Sequence, residues 1–531
     1  MENQKQIKST VYITGAGPGD PNLLTLKAKE IIEKADVIAY DNLVSKEILE
    51  SIVGAYCGKP LLIYVGKTDG KESISQEQIN NLLLKLSNEY KIVCRLKGGD
   101  PNIFGRGGEE AIFLKENNIN FEIIPGVSSI TAVPAYAGIP LTHRDCNSSF
   151  TVITAHEDPD DPESKVRWDS FDAVNSTLIL LMGVKNLPKI INKLISLGRD
   201  KNTPLAVIYW GTTSKQFTVK TTIENAVKDL EKNPVKAPSV IIIGEVVNYR
   251  EALNWFESKP LFRKRILITR SKEQSFSFAS KLIKAGAEPI ICPIVNYQLT
   301  EKEVYNKDII NNISKFDWIF FTSQNAVRFF FETLKRNCYD SRALAGVQIA
   351  AVGYKTKHEL EKYNIKADFI PKKFSLEDLV NELGERINLN DKKILHPTQV
   401  GAIHAALGEP RLWQELPLLQ VTTWNIYKAN FINELDQEII SQLKKGIDIV
   451  TFFSSNTVKH FAELVKQYDL LGAHCLPLTA TIGDETATTV KQIYGRVDII
   501  AEPYTEDGLI HSMENYFYGK LNLKIQTQTV T

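Results

Sequence analysis

A glycine-rich segment directly after a short strand pattern is the feature that most constrains the fold of this 531-residue chain. Residues 95–110 contain five glycines, three basic residues and three acidic residues in sixteen positions. Dense glycines let the backbone approach a ligand closely and adopt positive φ values. Residues 92–96, just before them, have the pattern of a buried strand, and open α/β sheets bind ligands where strands end. The segment therefore predicts a ligand-binding loop at a strand end, and its basic residues favour an anionic ligand.

Short apolar runs alternate with amphipathic helical patterns over almost the whole length, which predicts an α/β fold. The runs that read as buried strands are 11–14, 37–40, 92–96, 150–154, 178–181, 206–210 and 240–243. The first helix is predicted to begin with Asp20 as its N-cap and Pro21 at its first position. Its apolar face would consist of Leu23, Leu24, Ala28, Ile31 and Ile32.

The chain is too long for one hydrophobic core, so we expect more than one domain. A break falls near residue 260, where a closing helix pattern is followed by Lys259-Pro260 and a new strand at 266–269. This break predicts one domain over residues 8–250 and a second over residues 264–520. The linker is short and is not rich in glycine or serine, which favours two halves held close together.

The second half contains an internal repeat. Residues 317–327 are echoed by 448–458, and residues 351–356 are echoed by 481–486. This period is far longer than that of any solenoid, so the repeat predicts a duplicated α/β unit with two similar lobes. Two joined lobes form a cleft, and clefts between lobes are common ligand sites.

Composition excludes several classes of function. Basic and acidic residues number 63 each, and a net charge of zero argues against a general nucleic-acid binder. The apolar runs are too short for a membrane span, and the polar amino terminus lacks a signal-peptide core, so we expect a cytoplasmic protein without membrane contact. Six cysteines and eight histidines are scattered without a C-x-x-C pair, which predicts neither disulfides nor a bound metal.

A second glycine-rich turn, residues 15–20, follows the first predicted strand. It lacks the last glycine of a dinucleotide fingerprint because position 20 is Asp, so it does not favour a nicotinamide cofactor. Taken by itself it has a tight strand-to-helix turn that binds nothing as its alternative. Three further motifs accompany it, at 125–129, 134–145 and 237–247.

In this order the motifs resemble the uroporphyrinogen-III C-methyltransferases of the tetrapyrrole methylase family, over residues 8 to about 250. The resemblance implies a two-lobed α/β methylase that forms a homodimer through this domain. It also implies methyl transfer from S-adenosyl-L-methionine to C2 and C7 of uroporphyrinogen III, which gives precorrin-2. Two positions depart from the family pattern: Asn102 replaces a common aromatic residue, and Ala155 replaces the glycine of Thr-Gly-His.

The resemblance further implies a set of residues around the cofactor. They are Pro18, Gly98, Gly99, Asp100, Ile103, Thr131, Ala132, Met182 and Gly211. Gly98 and Gly99 would allow close backbone approach, and Asp100 would accept hydrogen bonds from the polar hydrogens of the cofactor. Met182 would pack on the adenine, with simple core filling as the alternative.

Methylation of a pyrrole carbon leaves a proton to be lost, so acid–base groups are expected. By resemblance, Asp41 would be the proton acceptor and Lys67 the proton donor. A helix cap is the alternative for Asp41, and a solvated charge is the alternative for Lys67. The candidates for binding the substrate carboxylates are Arg95, Lys97, Arg106, His143 and Arg144, each of which has a surface ion pair as its alternative.

Residues 264 to about 520 resemble uroporphyrinogen-III synthase. The motifs that carry this resemblance are 268–270, 321–327, 351–353, 482–487 and 503–509. It implies a two-lobed α/β enzyme that removes the hydroxyl of hydroxymethylbilane as water, inverts ring D and closes uroporphyrinogen III. One departure is the stretch 396–399, where many members have an arginine–glycine pair.

Such an enzyme mainly has to hold a linear substrate in its productive conformation. Hydroxyl residues lie where predicted strands turn into helices, namely Thr322, Ser323, Ser454, Ser455 and Thr486. Hydroxyls and helix N-terminal amides bind carboxylates there, and plain N-capping is the alternative. Thr322 and Thr486 are catalytic candidates, as is Tyr427, which matches the family's tyrosine thought to assist hydroxyl loss. A structural, half-buried tyrosine is the alternative.

The sequence therefore predicts a bifunctional enzyme with small tetrapyrroles as ligands, acting in sirohaem or corrinoid synthesis. The alternative is a methyltransferase whose second half is a catalytically silent, tetrapyrrole-binding module.

Overall fold

The computed structural model describes residues 9–45, 48–49, 60–66, 74–300, 307–373, 375–390, 392–400, 420–468 and 477–528. Within these residues the chain forms four five-stranded sheets with helices packed on them. Two sheets belong to the first half of the chain and two to the second. The predicted fold class, two-lobed α/β in each half, is confirmed.

The first lobe contains a sheet of parallel strands in the order β3-β2-β4-β1-β5. The strands are β1 (Thr10–Gly15), β2 (Val37–Tyr40), β3 (Leu61–Tyr64), β4 (Ile92–Lys97) and β5 (Asn120–Ile124). The helices are α1 (Leu26–Lys34), α2 (Gln76–Glu89), α3 (Gly107–Glu116) and α4 (Ser129–Tyr136). The central strands are covered on both faces, which explains why their sequences read as nearly continuous apolar runs.

The predicted start of the first helix is wrong. Asp20 does cap a turn, but this turn is a short 3-10 segment over Pro21–Leu23 that ends at the extended residue Leu24. Helix α1 then begins at Leu26, because the hydroxyl of Thr25 accepts a hydrogen bond from the Ala28 amide. A second capping residue therefore restarts the helix five residues later than expected.

The second lobe contains a mixed sheet in the order β6-β7-β10-β8-β9. Its strands are β6 (Phe150–Thr154), β7 (Thr177–Leu181), β8 (Pro204–Tyr209), β9 (Phe217–Thr222) and β10 (Ser239–Ile243), and its helices are α5 (Leu187–Ser196) and α6 (Ala226–Lys232). Strand β10 runs antiparallel to both β7 and β8. The carboxyl ends of β7 and β8 therefore lie at the same edge of this sheet.

The segment between the two halves packs against both of them. After α7 (Arg250–Leu253), the ring of Phe256 lies 4.8 Å from that of Tyr136 and 5.4 Å from that of Phe262. Leu261 is fully buried in a core cluster of the second half. The linker is thus held by apolar contacts on both sides, consistent with a sequence that is not rich in glycine or serine.

Two separate stretches of chain, 265–291 and 435–528, build what we call the terminal lobe of the second half. Its parallel sheet has the order β12-β11-β18-β19-β20. The strands are β11 (Arg265–Ile268), β12 (Glu288–Ile291), β18 (Ile449–Phe452), β19 (Leu478–Thr481) and β20 (Ile499–Ile500). The helices are α8 (Lys272–Lys284), α13 (Gln437–Lys444), α14 (Ser455–Tyr468), α15 (Asp484–Tyr494) and α16 (Glu506–Gln528).

The middle lobe, 295–431, lies between these stretches in sequence. Its sheet has the order β13-β17-β16-β14-β15. The strands are β13 (Val295–Leu299), β14 (Trp318–Phe321), β15 (Gln348–Ala351), β16 (Lys393–Gln399) and β17 (Gln420–Phe431), and the helices are α9 (Lys307–Asn311), α10 (Gln324–Arg336), α11 (Tyr354–Glu361) and α12 (Leu376–Gly384). Strands β14 and β15 are parallel neighbours here, as β18 and β19 are in the terminal lobe, and this shared pairing is the structural counterpart of the sequence repeat.

A single added methyl group at Gly126 is expected to destabilise the first lobe. A Cβ on Gly126 would lie 2.2 Å from the carbonyl oxygen of Gly99, a backbone atom that cannot rotate away. We expect Gly126→Ala to lower the free energy of unfolding by about 1–3 kcal/mol in urea titrations.

Gly108→Ala is the matched control for that substitution, because a Cβ there has nothing within 4 Å. It lies in the first turn of α3, so alanine should be neutral or stabilise by up to about 1 kcal/mol. Equal effects of the two variants would contradict the close backbone contact.

Candidate functional site

Glycines from three loops meet backbone to backbone at the carboxyl end of the first sheet. A Cβ on Gly15 would lie 2.6 Å from the Gly126 Cα, and Gly126 in turn faces the carbonyl of Gly99. Gly17 and Gly99 exchange two backbone hydrogen bonds, with N···O distances of 3.2 and 2.7 Å. The Asp100 carboxylate accepts a hydrogen bond from the Gly126 amide at 3.1 Å. These contacts produce a surface lined by backbone peptide groups. Residues with side chains could not replace the glycines, because the backbones would no longer come so close.

The second lobe contributes the opposite side of this surface. A Cβ on Gly211 would lie 2.4 Å from the Val133 side chain in α4, and one on Gly19 would lie 2.6 Å from Thr213. Asp20 also joins the lobes, since its amide donates to the Thr212 hydroxyl at 3.2 Å. Among the predicted cofactor residues, Gly98, Gly99 and Asp100 belong to these loops and Pro18 follows Gly17. Gly211 packs against α4, the helix that contains Thr131 and Ala132.

Strained backbone is concentrated around the same loops. Met182, Trp210 and Thr212 have φ values of 59°, 43° and 70°, and Phe104 and Arg106 have 54° and 60°. Each such residue costs about 1–3 kcal/mol and is typical of ligand-binding loops. Met182 and Trp210 follow β7 and β8, so they lie at one edge of the second sheet.

Met182 and Ile103 are both open to solvent in this structure. The Met182 residue is 54% exposed and follows β7 directly, so the alternative that it fills the core is wrong. Ile103 is also exposed, in the loop between Asp100 and Arg106. Both side chains are therefore accessible to a ligand.

Asp41 stands at the carboxyl end of β2, beside the glycine loops. Its carboxylate accepts a hydrogen bond from the Leu43 amide at 3.1 Å, and its other oxygen lies 3.6 Å from the Arg95 guanidinium. Leu43 packs so closely on Gly98 that a Cβ there would lie 2.4 Å away. Asp41 thus organises a turn and not a helix cap. Lys67, its predicted partner, lies outside the described residues.

A buried group of charges lies directly behind Asp41. Glu110 of α3 is 0% exposed, and one of its oxygens accepts from Lys97 Nζ at 2.9 Å, from Arg95 Nε at 3.3 Å and from Gln76 Nε2 at 3.2 Å. Burial lowers the pKa of Lys97, the charge of Arg95 lowers it further, and the carboxylate of Glu110 opposes this.

This burial argues against the prediction that Arg95 and Lys97 bind the substrate carboxylates. Both side chains lie inside the first lobe and are paired there with Glu110. Arg95 reaches from this pair towards Asp41, and its guanidinium also donates to two backbone carbonyls. We therefore assign them to the support of the Asp41 loop.

The other predicted substrate ligands of the first half are more accessible. Arg106 is exposed and lies 3.6 Å from Glu109. His143 stacks on Tyr249 with ring centroids 4.1 Å apart, and its Nδ1 lies 2.9 Å from the Tyr249 hydroxyl. Arg144, next to it, is exposed. These three remain candidates for carboxylate binding.

In the middle lobe, Tyr427 projects from β17 towards the start of α10. Its hydroxyl lies 3.2 Å from the Ser323 hydroxyl, which also accepts from the Ala326 amide and so caps α10. The Tyr427 ring is buried, stacked on Phe329 at 5.1 Å. Burial raises the pKa of Tyr427, and the hydrogen bond from Ser323 opposes that rise.

Thr322 lies beside Ser323 and 3.4 Å from Nε2 of the buried His396, the residue at the departure from the arginine–glycine pattern. Burial lowers the pKa of His396 to about 4, so its ring is neutral at physiological pH. The middle lobe thus offers neutral hydroxyl and imidazole groups just after the end of β14 and within the adjacent strand β16.

The terminal lobe places the equivalent hydroxyls at the ends of β18 and β19. Ser454 accepts from the Thr457 amide at 3.4 Å, so it caps α14, and Ser455 donates to the Glu485 carbonyl at 3.4 Å. Thr486 is buried in the first turn of α15. Capping, the alternative considered for these hydroxyls, is therefore present at Ser454 and Ser323.

Sequence reasoning did not identify Glu110, although the motif contains it, because nothing in Gly-Gly-Glu-Glu shows which glutamate faces inward. It also did not identify Glu506, whose carboxylate contacts Arg270 and Lys355 at 2.6 and 3.1 Å. Two sequence features could have indicated this ion pair, namely the arginine in the motif 268–270 and the acidic residue in the motif 503–509.

Within the described ranges, no group of three or more His, Cys, Asp or Glu residues is arranged to bind a metal ion. The helices found in that part of the chain are all too short or too polar to cross a lipid bilayer.

Two protein families match the chain, one in each half. Residues 10–227 match the family described as Tetrapyrrole (Corrin/Porphyrin) Methylases. Residues 277–511 match the family described as Uroporphyrinogen-III synthase HemD.

Relatives support both matches. The "Porphyrin biosynthesis protein HemD" of Ruminiclostridium josui is 34% identical and aligns over 95% of this chain and 97% of its own length. A "Uroporphyrinogen-III C-methyltransferase" of Bacillus subtilis (strain 168) is 50% identical over 47% of this chain and 95% of its own length. The "S-adenosyl-L-methionine-dependent uroporphyrinogen III methyltransferase" of Methanosarcina barkeri (strain Fusaro / DSM 804) is 45% identical over 46% and 94%.

Neutralising the buried Glu110 should strongly destabilise the first lobe. Glu110→Gln leaves Arg95 and Lys97 buried without a carboxylate, and we expect a loss of about 3–5 kcal/mol in the free energy of unfolding. Urea unfolding measures this loss. Glu109→Gln, the adjacent and exposed glutamate, should change it by less than about 0.5 kcal/mol. A small effect at both positions would contradict the buried ion-pair arrangement.

The low pKa of His396 predicts a specific loss of stability in acid. The unfolded chain binds this proton near pH 6.5, whereas the folded chain binds it only near pH 4. The contribution of His396 to the free energy of unfolding is therefore fully present above pH 6.5. It falls as the pH drops, and the loss is about 2 kcal/mol at pH 5.

Urea unfolding at pH 7 and pH 5 tests this loss. His396→Asn should remove the extra loss, whereas substitution of the exposed His358 by Asn should not. The same acid loss in wild type and His396→Asn would show that His396 is not the group responsible.

Proposed function

The chain belongs to the tetrapyrrole methylases through its first half and to the uroporphyrinogen-III synthases through its second, and we propose that it performs both activities in sequence. The second half cyclises hydroxymethylbilane to uroporphyrinogen III. The first half methylates that product at C2 and C7 with S-adenosyl-L-methionine, which gives precorrin-2. The observation that carries this proposal is the 34% identical relative that aligns with both halves over 95% of the chain.

The glycine contact at the end of the first sheet fits S-adenosyl-L-methionine. Peptide groups of Gly98 and Gly99, the exposed Met182 and the loop at Gly211 would hold the cofactor. A side chain has no room at Gly98 or Gly211, and Gly99 has a φ of 69°, which favours glycine. When bound, the cofactor supplies a methyl group on an activated sulfonium. The protein contributes binding, orientation and the exclusion of water.

Asp41 is the proposed proton acceptor of the methylating half. Methyl transfer to a pyrrole carbon is completed by loss of one proton, and an ionised carboxylate accepts it. The Leu43 amide and the Arg95 guanidinium hold the Asp41 carboxylate in place, and Glu110 holds Arg95. Lys67 is proposed as the proton donor by resemblance alone.

Tyr427 is the proposed proton donor of the synthase half. Protonation of the hydroxyl of hydroxymethylbilane lets it leave as water and gives an azafulvene, which closes the ring after inversion of ring D. The phenol of Tyr427 carries a proton at neutral pH and can supply it, although burial raises its pKa and so makes it a weaker acid than an exposed tyrosine. Thr322, Thr486 and the serines 323, 454 and 455 would bind the carboxylates that fix the substrate conformation.

We also propose an assembly, a location and a pathway for the enzyme. The methylating half forms a homodimer, the enzyme acts in the cytoplasm, and its product feeds sirohaem or corrinoid synthesis. The relatives named methyltransferases support the substrate class.

The test supplies purified protein with fresh hydroxymethylbilane, with and without S-adenosylmethionine. Chromatography and mass spectrometry then identify porphyrin isomers and methylation. We expect type III isomer without the cofactor and a dimethylated product with it. Formation of the type I isomer alone would contradict the synthase activity and favour the alternative of a silent second half. Formation of unmethylated type III isomer in the presence of the cofactor would contradict the methylase activity.

Single substitutions in each half provide reciprocal controls. Asp41→Asn should slow methylation by about 10²-fold and leave isomer formation unchanged, whereas Tyr427→Phe should slow type III formation by about 10²-fold and leave methylation of supplied uroporphyrinogen III unchanged. Tyr339→Phe removes an exposed tyrosine hydroxyl from the same lobe and should change neither rate.

A further inference from the structure

An ion pair joins the two lobes of the second half. Glu506, at the start of α16 in the terminal lobe, accepts a hydrogen bond from Lys355 of the middle lobe at 3.1 Å. The same oxygen accepts from Arg270 of the terminal lobe at 2.6 Å. Lys281 lies 3.6 Å from the second oxygen. One carboxylate therefore meets three cations, of which one lies across the cleft between the lobes.

Positive charge exceeds negative charge around this carboxylate. Asp507 pairs with Lys281 at 2.7 Å, which leaves Arg270 and Lys355 sharing Glu506. Arg328 of the middle lobe is a further cation, and its guanidinium stacks at 4.5 Å on Phe329, the ring that packs on Tyr427. Burial raises the pKa of Tyr297, and the charges of both Arg270 and Arg328 oppose that rise, so the two guanidinium groups lie near the same phenol.

These cations lie beside the residues proposed to act on the substrate. Arg270 stacks on the ring of Phe453 at 4.3 Å, directly before Ser454. The Lys355 carbonyl accepts from the side chain of Gln324, the residue after Ser323. Tyr297 packs edge-on against Tyr427 with centroids 5.9 Å apart. The ion pair therefore closes the cleft at the place where the substrate carboxylates are expected.

We propose that Glu506 is an internal substitute for a substrate carboxylate, which holds Arg270 and Lys355 together until a carboxylate of the tetrapyrrole replaces it. The inference rests on the proposed function of this half and adds its regulation. A side-chain carboxylate and an acetate or propionate arm of the substrate present the same group to a guanidinium and an ammonium. The exchange therefore breaks and forms equivalent ion pairs, and it leaves Arg270 and Lys355 as ligands of the substrate.

Competition by Glu506 has a measurable consequence. The apparent affinity of the cleft for a carboxylate-bearing ligand is reduced by the fraction of molecules in which the ion pair is closed. Removal of the Glu506 charge should therefore strengthen binding in the cleft. Removal of the Lys355 charge should weaken binding, although it breaks the same ion pair, because the ligand loses a cation.

Hydrogen exchange with the full chain tests this, with uroporphyrin III as a stable octacarboxylate probe. Protection of the peptides covering 354–361 and 506–518 reports binding in the cleft, separately from binding in the first half. We expect Glu506→Gln to reach half-maximal protection at about three-fold or more lower probe concentration than wild type. Lys355→Met, at a side chain that is 54% exposed and so tolerant of change, should require about ten-fold more.

Asp507→Asn is the matched control, because it removes the adjacent negative charge from a side chain that is 78% exposed and contacts Lys281. It should shift the half-maximal concentration by less than about two-fold. The proposal is overturned if Glu506→Gln binds the probe no more tightly than wild type, or if Asp507→Asn strengthens binding equally. It is also overturned if Lys355→Met leaves binding unchanged, or if the probe does not protect these peptides in wild type. The isomer assay judges the synthase activity independently, because the exchange measurement needs no turnover.

Discussion

The first half of the molecule depends on one close contact, in which the backbones of Gly15, Gly99 and Gly126 touch at the end of a parallel sheet. Strands of such a sheet place their loops at a common edge, and only residues without side chains let three loops converge there. We propose that the exposed peptide groups form the ligand surface. Thr212 of the facing lobe, whose φ is 70°, accepts a hydrogen bond from the Asp20 amide, so the two lobes meet beside this surface.

Charge supports this site from the inside. Glu110 holds Arg95 and Lys97 in the lobe, and Arg95 extends to Asp41 at the surface. A buried ion-pair group of this kind contributes less to net stability than to the fixed position of its members. The second half uses charge differently, because its ion pair at Glu506 joins two lobes, and we propose that a ligand carboxylate replaces Glu506 there.

Much of the fold could be predicted because buried strands have nearly continuous apolar sequences, as at 37–40 and 240–243. The repeat revealed two similar lobes, but not that the terminal lobe is assembled from two distant stretches of chain. The close backbone contact at Gly99 could be expected from the glycine-rich segment 95–110, because dense glycines permit such approach. The inward direction of Glu110 was not, because it depends on where α3 begins, and the left-handed conformation of Arg106 at φ 60° determines that start.

The most direct measurement is a crystal structure of the full chain with S-adenosylhomocysteine, the demethylated product of the cofactor. The account predicts that the ligand lies against the backbone of Gly98 and Gly99, beside Met182 and the loop at Gly211, with Asp41 facing the vacated methyl position. A ligand bound elsewhere, or one that reaches this place only after the three glycine loops separate, would contradict the account.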